Sequence, residues 1–124
     1  GAPTSRAPVW LVEGFADYVA LRDVDLPLSR TAAQVLALVR EDGVPGRLPG
    51  ESDFDLTAPH LGAAYEAAWL ACRALASIVG EDGLVEVYRR TSEGEDVGVA
   101  LAAEGTDLSA VTAAWQEQLR RAAR

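Results

Sequence analysis

Apolar residues along this chain recur mostly three and four positions apart, which is the spacing that gives an α-helix one apolar face. No segment shows the alternation that a half-buried strand requires. The pattern predicts an all-α fold, a single helical domain of five to six helices over residues 1–124. The predicted helices cover residues 9–21, 31–41, 61–79, 84–90, 97–103 and a last segment from 106 onward. We expect the first and third helices to form the buried centre.

Residues with known preferences at helix ends set the boundaries of these elements. Pro8 suits the first turn of a helix, and Thr31 opens a capping-box pattern at the start of the second helix. Gly43 and Gly80 are helix stop signals. Thr106 is expected to cap the last helix, which carries an apolar stripe at helical spacing: Leu108, Val111, Trp115 and Leu119.

A long internal loop is predicted over residues 43–59, which hold three glycines and three prolines. Its acidic residues Glu51, Asp53 and Asp55 lack the order and the following bidentate Glu of a calcium-binding loop, so we expect them to be solvated. His60 follows the loop without a second His or Cys at ligand spacing. It is therefore expected to cap or border the third helix rather than to bind a metal.

The charge and cysteine content of the chain exclude several kinds of function. A formal net charge of -8 disfavours contact with nucleic acid or an anionic membrane surface. All eleven basic residues are Arg, as in proteins from high-GC bacterial genomes. The single cysteine, Cys72, is expected to be a small buried hydrophobe. The chain begins without Met, which we interpret as a piece of a longer protein. The compartment stays open, and a signal for secretion or the cell envelope would lie outside this chain.

The first helix is apolar on most sides, and its only charged residues are Glu13 and Asp17. Their spacing of four positions places both carboxylates on one face. One interpretation makes this face a narrow solvated strip. The other gives the two acids a metal ion or a basic side chain as a partner, because burying them unpaired is costly. Gly14 disfavours a helix by about 1 kcal/mol relative to Ala, which indicates close approach of another element.

Residues 10–18 read WLVEGFADY and resemble the segment that follows the H-E-x-x-H helix in gluzincin zinc metallopeptidases. They are similar to the W-L-x-E-G-F-A motif of zinc aminopeptidases and to peptidase-MA-like proteins of bacteria. Weaker similarity continues at residues 64–69, 80–84 and 108–115. The resemblance implies that Glu13 is the third zinc ligand and that Asp17 is the carboxylate that orients a zinc-bound His. It also implies that Tyr65 hydrogen-bonds a developing oxyanion, although a core aromatic beside Ala68 and Cys72 is the alternative.

The chain departs from the gluzincin pattern because it contains no H-E-x-x-H, and His60 lies downstream of Glu13. The resemblance therefore implies the C-terminal helical subdomain of a zinc-dependent peptidase that hydrolyses peptide or protein substrates. This chain alone is expected to be inactive and to bind no zinc. The alternative is a non-catalytic helical interaction or regulatory module. Since the first helix would normally pack on the missing one, we also expect self-association through it.

Overall fold

The computed structural model describes residues 4–124, so the trimmed start inferred at residues 1–3 lies outside it. Helices account for the regular structure of this range, and no strand occurs in it, which confirms the predicted all-α fold. The helices are α1 (Val9–Ala20), α2 (Leu28–Thr31), α3 (Ala33–Asp42), a 3₁₀-helix (Glu51–Phe54), α4 (Leu61–Ser92), α5 (Val97–Ala103) and α6 (Leu108–Ala122).

The long helix α4 forms the centre, and α1, α3, α5 and α6 all pack against it. Its first half is rich in Ala, and these small side chains let neighbouring helices approach closely. The helix is interrupted at Gly80, whose φ of 80° and ψ of 167° are not helical. The predicted stop at Gly80 is therefore confirmed. The segment that follows extends beyond the predicted 84–90, since helical structure resumes directly and continues to Ser92.

The capping box predicted at Thr31 does not form. Thr31 instead ends the separate short helix α2, and its hydroxyl donates a hydrogen bond to the carbonyl oxygen of Pro27 at 3.4 Å. The start of α3 is capped from outside by Glu66 of α4. One Glu66 oxygen accepts from the Val35 amide at 2.9 Å, and the other accepts from the Gln34 side chain at 3.2 Å. A contact distant in sequence thus replaces the expected local one.

The cap predicted for the last helix is one residue away from the observed cap. Asp107, not Thr106, accepts a hydrogen bond from the Ala110 amide at 2.8 Å, because a carboxylate reaches the free amides of the first turn. Leu108, the first position of the predicted stripe, is 43% exposed. The other three positions of the stripe are fully buried: Val111, Trp115 and Leu119. The bounds predicted for the fifth helix agree with α5.

The segment 43–59 is an ordered connection that holds the 3₁₀-helix. The Asp53 carboxylate accepts from the Gly50 amide at 2.9 Å and so closes this turn. The side chain of Gln116 on α6 donates to the Pro45 carbonyl at 2.8 Å. Phe54 packs on α4. The loop therefore lies against α4 and α6.

Candidate functional site

Gly14 lies at a close contact between α1 and α4. A Cβ atom at this position would lie 2.1 Å from the Ala68 carbonyl oxygen and 2.8 Å from the Cys72 sulfur, so only glycine fits. The Cys72 thiol lies 3.9 Å from the carbonyl oxygens of both Trp10 and Leu11. Burial raises its pKa to about 12, which keeps the thiol protonated at neutral pH. The expected close approach at Gly14 and the expected burial of Cys72 are both confirmed.

The side of α1 that faces away from α4 is apolar and exposed. Val12 is 38% exposed and Val19 is 47% exposed. Ala16 lies between them and is also exposed. A helix turns by about 100° per residue, so these three residues lie roughly opposite Gly14 and form one surface. We call Val12, Ala16 and Val19 the apolar strip of α1.

Glu13 and Asp17 are both half-buried and lie on one flank of α1, between the contact with α4 and the apolar strip. Glu13 is about 100° around the helix from Gly14 and Asp17 about 60°, so Glu13 is the acid nearer the strip. Burial raises the pKa of Asp17. Its negative charge also contributes to the raised pKa of Cys72, which places the carboxylate near the α1–α4 contact.

Neither acid has a cationic partner within residues 4–124, where every ion pair and side-chain hydrogen bond involves other residues. In the same range no group of three or more His, Cys, Asp and Glu side chains is arranged to hold a metal ion. Catalytic zinc takes three protein ligands. Glu13 and Asp17 are suitable oxygen donors, but a zinc ion bound at Glu13 would need further ligands from elsewhere.

Tyr65 lies on α4, one helical turn before Ala68. Its ring is half-buried and packs edge-on against Phe54, with ring centroids 5.2 Å apart and an interplanar angle of 79°. His60 is exposed at the N-terminal boundary of α4, and its side chain makes no capping hydrogen bond. It therefore borders this helix, as expected. The Tyr65 ring, in contrast to His60, contacts an aromatic residue of the 43–59 segment. Tyr65 also lies two helical turns before Cys72, on the same face of α4.

A cleft at the C-terminal end of α1 was not indicated by the sequence. It has a volume of about 310 Å³ and is lined in part by Tyr18, Arg22, Trp69 and Arg73. The Arg73 guanidinium lies 5.2 Å from the centroid of the Trp69 ring. Burial and the neighbouring Glu81 carboxylate raise the pKa of Tyr18, while the charges of Arg22 and Arg73 oppose that rise. Both arginines therefore lie near the phenol, although they are far apart in the sequence and no local motif links them.

Comparisons with protein families, with curated proteins and with solved structures found no match. Among residues 4–124, none of the helices combines the length and hydropathy needed to span a bilayer. A function for this chain is therefore inferred from its own side chains and from the resemblance carried by residues 10–18.

Proposed function

We propose that this chain is the C-terminal helical part of a zinc-dependent peptidase of the gluzincin kind. In the complete protein, Glu13 is a zinc ligand and Asp17 orients a ligating His. The observation that best supports this proposal is the arrangement of α1, where two half-buried carboxylates lie beside an exposed apolar strip. The strip suits the packing of another helix, and the carboxylates offer negative charge to a metal ion or basic side chain that such a helix would carry.

The positions of the two acids fit their proposed roles. Glu13 is nearer the apolar strip, so its oxygen atoms are the first to meet a metal held by a helix that packs there. Asp17 follows one turn later on the same flank. A ligating His usually donates its second ring N–H to a carboxylate, which fixes the ring orientation. Asp17 would accept that hydrogen bond.

The remaining chemistry needs residues from outside this chain. Zinc, when bound, supplies an activated water for attack on the peptide carbonyl, with the Glu of the H-E-x-x-H helix as general base. The Tyr65 hydroxyl is proposed to donate a hydrogen bond to the carbonyl oxygen as negative charge develops on it. This chain alone supplies only one ligating carboxylate and is proposed to be inactive.

The alternative function is a non-catalytic helical interaction or regulatory module derived from such a peptidase. It is supported by the same apolar strip, since Val12, Ala16 and Val19 provide packing surface for any helical partner, including a second copy of this chain. In that case Glu13 and Asp17 select partners with basic residues, and no metal is involved. Glu13 is a zinc ligand under the first proposal and binds no metal under the second, so an experiment on Glu13 can separate them.

Zinc content of the parent protein distinguishes the two functions. We expect about one zinc per chain in the parent protein, with an H-E-x-x-H upstream of this segment. Glu13→Gln should weaken zinc affinity by at least about tenfold, because one of three protein ligands is lost. Glu41→Gln is a matched control, since Glu41 is an exposed acid on α3. Equal zinc affinity in the two variants, or an upstream sequence without H-E-x-x-H, would favour the interaction module.

Self-association of the isolated chain tests the apolar strip separately. We expect sedimentation to show concentration-dependent dimers of this chain, and the double substitution Val12→Lys and Val19→Lys to abolish them. Val85→Lys and Val99→Lys are controls, because both valines are exposed elsewhere, at 46% and 55%. A monomer at all concentrations would show that the strip does not drive self-association. Zinc binding by the parent protein would not be affected by that result.

A further inference from the structure

The cleft at the end of α1 is lined by two arginines, together with one acidic residue, Asp25. The chain has eleven arginines and a formal net charge of -8, yet two arginine side chains line this cleft of about 310 Å³. Arg22 lies just beyond α1, and Arg73 projects from α4. The Tyr18 phenol and the Thr31 hydroxyl add hydrogen-bonding groups to the lining. Cationic and polar side chains from three segments therefore meet on one concave surface.

The guanidinium groups of Arg22 and Arg73 remain available to bind an anion. Arg73 is oriented by the Trp69 ring, 5.2 Å from its centroid, and within residues 4–124 no carboxylate lies within 4.0 Å of it. Stacking on an aromatic ring fixes a guanidinium without neutralising it. Arg22 is 3.9 Å from Glu81, and both side chains are about half exposed, so this ion pair is weak. Asp25 also lines the cleft and opposes an anion there.

The cleft also has an apolar part. The Trp69 indole forms one side, and Leu21, Val24 and Leu26 form the rest of the apolar lining. A volume of about 310 Å³ lies at the lower end of the range for ligand sites, roughly 300–1,000 Å³. The cleft is thus large enough for a molecule of the size of one or two amino acids, with an anionic end and an apolar body.

We propose that this cleft binds a carboxylate carried on a small apolar or aromatic body. The planar donors of Arg22 and Arg73 match the two oxygens of a carboxylate, and charge-assisted hydrogen bonds of this kind are the stronger ones. The apolar body then lies against Trp69 and the aliphatic residues. This site is separate from the proposed zinc ligand Glu13 and does not depend on the peptidase function.

Titration of the full chain with matched probes tests the proposal. N-acetyl-L-phenylalanine carries the carboxylate, and N-acetyl-L-phenylalaninamide has the same body without the charge. We expect nuclear magnetic resonance titration to show saturable shifts at the indole of Trp69 with the acid at millimolar concentration. The amide should bind at least about tenfold more weakly, which is the effect of losing one charge-assisted interaction. Equal affinity for the two probes would overturn the proposal, as would the absence of saturable binding by the acid.

Two substitutions with opposite expected effects locate the site. Arg73→Gln should weaken binding of the acid by about tenfold and leave the amide unchanged. Asp25→Asn should tighten binding of the acid, because it removes a negative charge from the lining. Arg47→Gln is the control, since it deletes an exposed positive charge from the 43–59 segment. Similar affinity of all three variants, with unchanged circular dichroism, would refute the assignment. Displacement of the acid by an equal concentration of inorganic phosphate would refute its carboxylate specificity.

Discussion

Gly14 is the position at which the structure predicts the clearest effect of a substitution on the stability of the fold. The substitution Gly14→Ala adds one methyl group on the face of α1 that contacts α4. The new Cβ would lie 2.1 Å from the Ala68 carbonyl oxygen and 2.6 Å from the carbonyl carbon. An ordinary carbon–oxygen contact is about 3.3 Å. The added Cβ at 2.1 Å from the oxygen would therefore force α1 to withdraw by about 1.2 Å. The obstacle is helix backbone, which cannot rotate away as a side chain does.

Two opposing terms set the size of the effect. Replacing Gly by Ala in a helix gains about 1 kcal/mol, whereas overpacking a well-packed contact costs about 1–3 kcal/mol. Because the clash is with backbone, we take the upper value, so Gly14→Ala should destabilise the fold by about 2 kcal/mol net. With a urea dependence of about 2 kcal/mol per molar, the unfolding midpoint should fall by about 1 M. Unfolding followed by circular dichroism measures this shift directly.

Gly62→Ala is the matched control, because Gly62 is also helical and the atoms nearest to a Cβ there belong to the flexible Gln34 side chain. This substitution should be neutral or slightly stabilising. Combining Gly14→Ala with Cys72→Ala should not restore stability, since the nearest obstacle is the Ala68 carbonyl and not the sulfur. A Gly14→Ala protein as stable as the Gly62→Ala protein would refute the claim that α1 touches α4 at this point.

Three further substitutions test separate contacts. Asp17→Asn should stabilise the isolated chain at neutral pH, because burial raises the folded-state pKa of Asp17 and so makes its charged form unfavourable in the fold. The gain should vanish as the pH falls below the ordinary value of 3.8, where the carboxyl is protonated in both the folded and the unfolded state. Melting temperatures measured over a series of pH values would show this dependence. Glu66→Ala should cost about 1 kcal/mol in urea unfolding and increase amide exchange at Val35, because the start of α3 loses its cap. Trp115→Phe should cost about 2 kcal/mol, since it removes the buried indole donor 3.0 Å from the Ala67 carbonyl oxygen and leaves a small cavity.

Elements with local sequence signals were predicted well. Gly80 marks a helix end through its own backbone freedom, and the structure has the break at that residue. The bounds of α5 and the burial of Trp115 follow from apolar spacing alone. Gly14 was informative because a glycine that weakens a helix needs a reason, and close packing is the usual one. In each case the properties of one residue or one helix face are sufficient to predict the observed feature.

Features that depend on distant residues were missed. The start of α3 is capped by Glu66, which lies more than thirty positions away from Thr31, where a local cap was predicted. The cleft at the end of α1 depends on Arg22 and Arg73, which come together only after α1 packs on α4. The spacing of residues in the sequence does not indicate such contacts, because they are decided by tertiary packing. For the acidic pair, the spacing correctly placed both residues on one flank of α1, but only the packing on α4 shows which apolar residues of that helix stay exposed.

The placement of the two carboxylates follows from the contact at Gly14. Only a residue without a side chain fits against the Ala68 carbonyl, so the rotation of α1 about its own axis is fixed. That rotation leaves Glu13 and Asp17 on the flank and turns Val12 and its neighbours outward. A shift of one residue would rotate the helix by about 100° and would carry the acids either into the contact with α4 or into open solvent. The same glycine therefore explains both why the acids are only half-buried and why they lie beside the apolar strip.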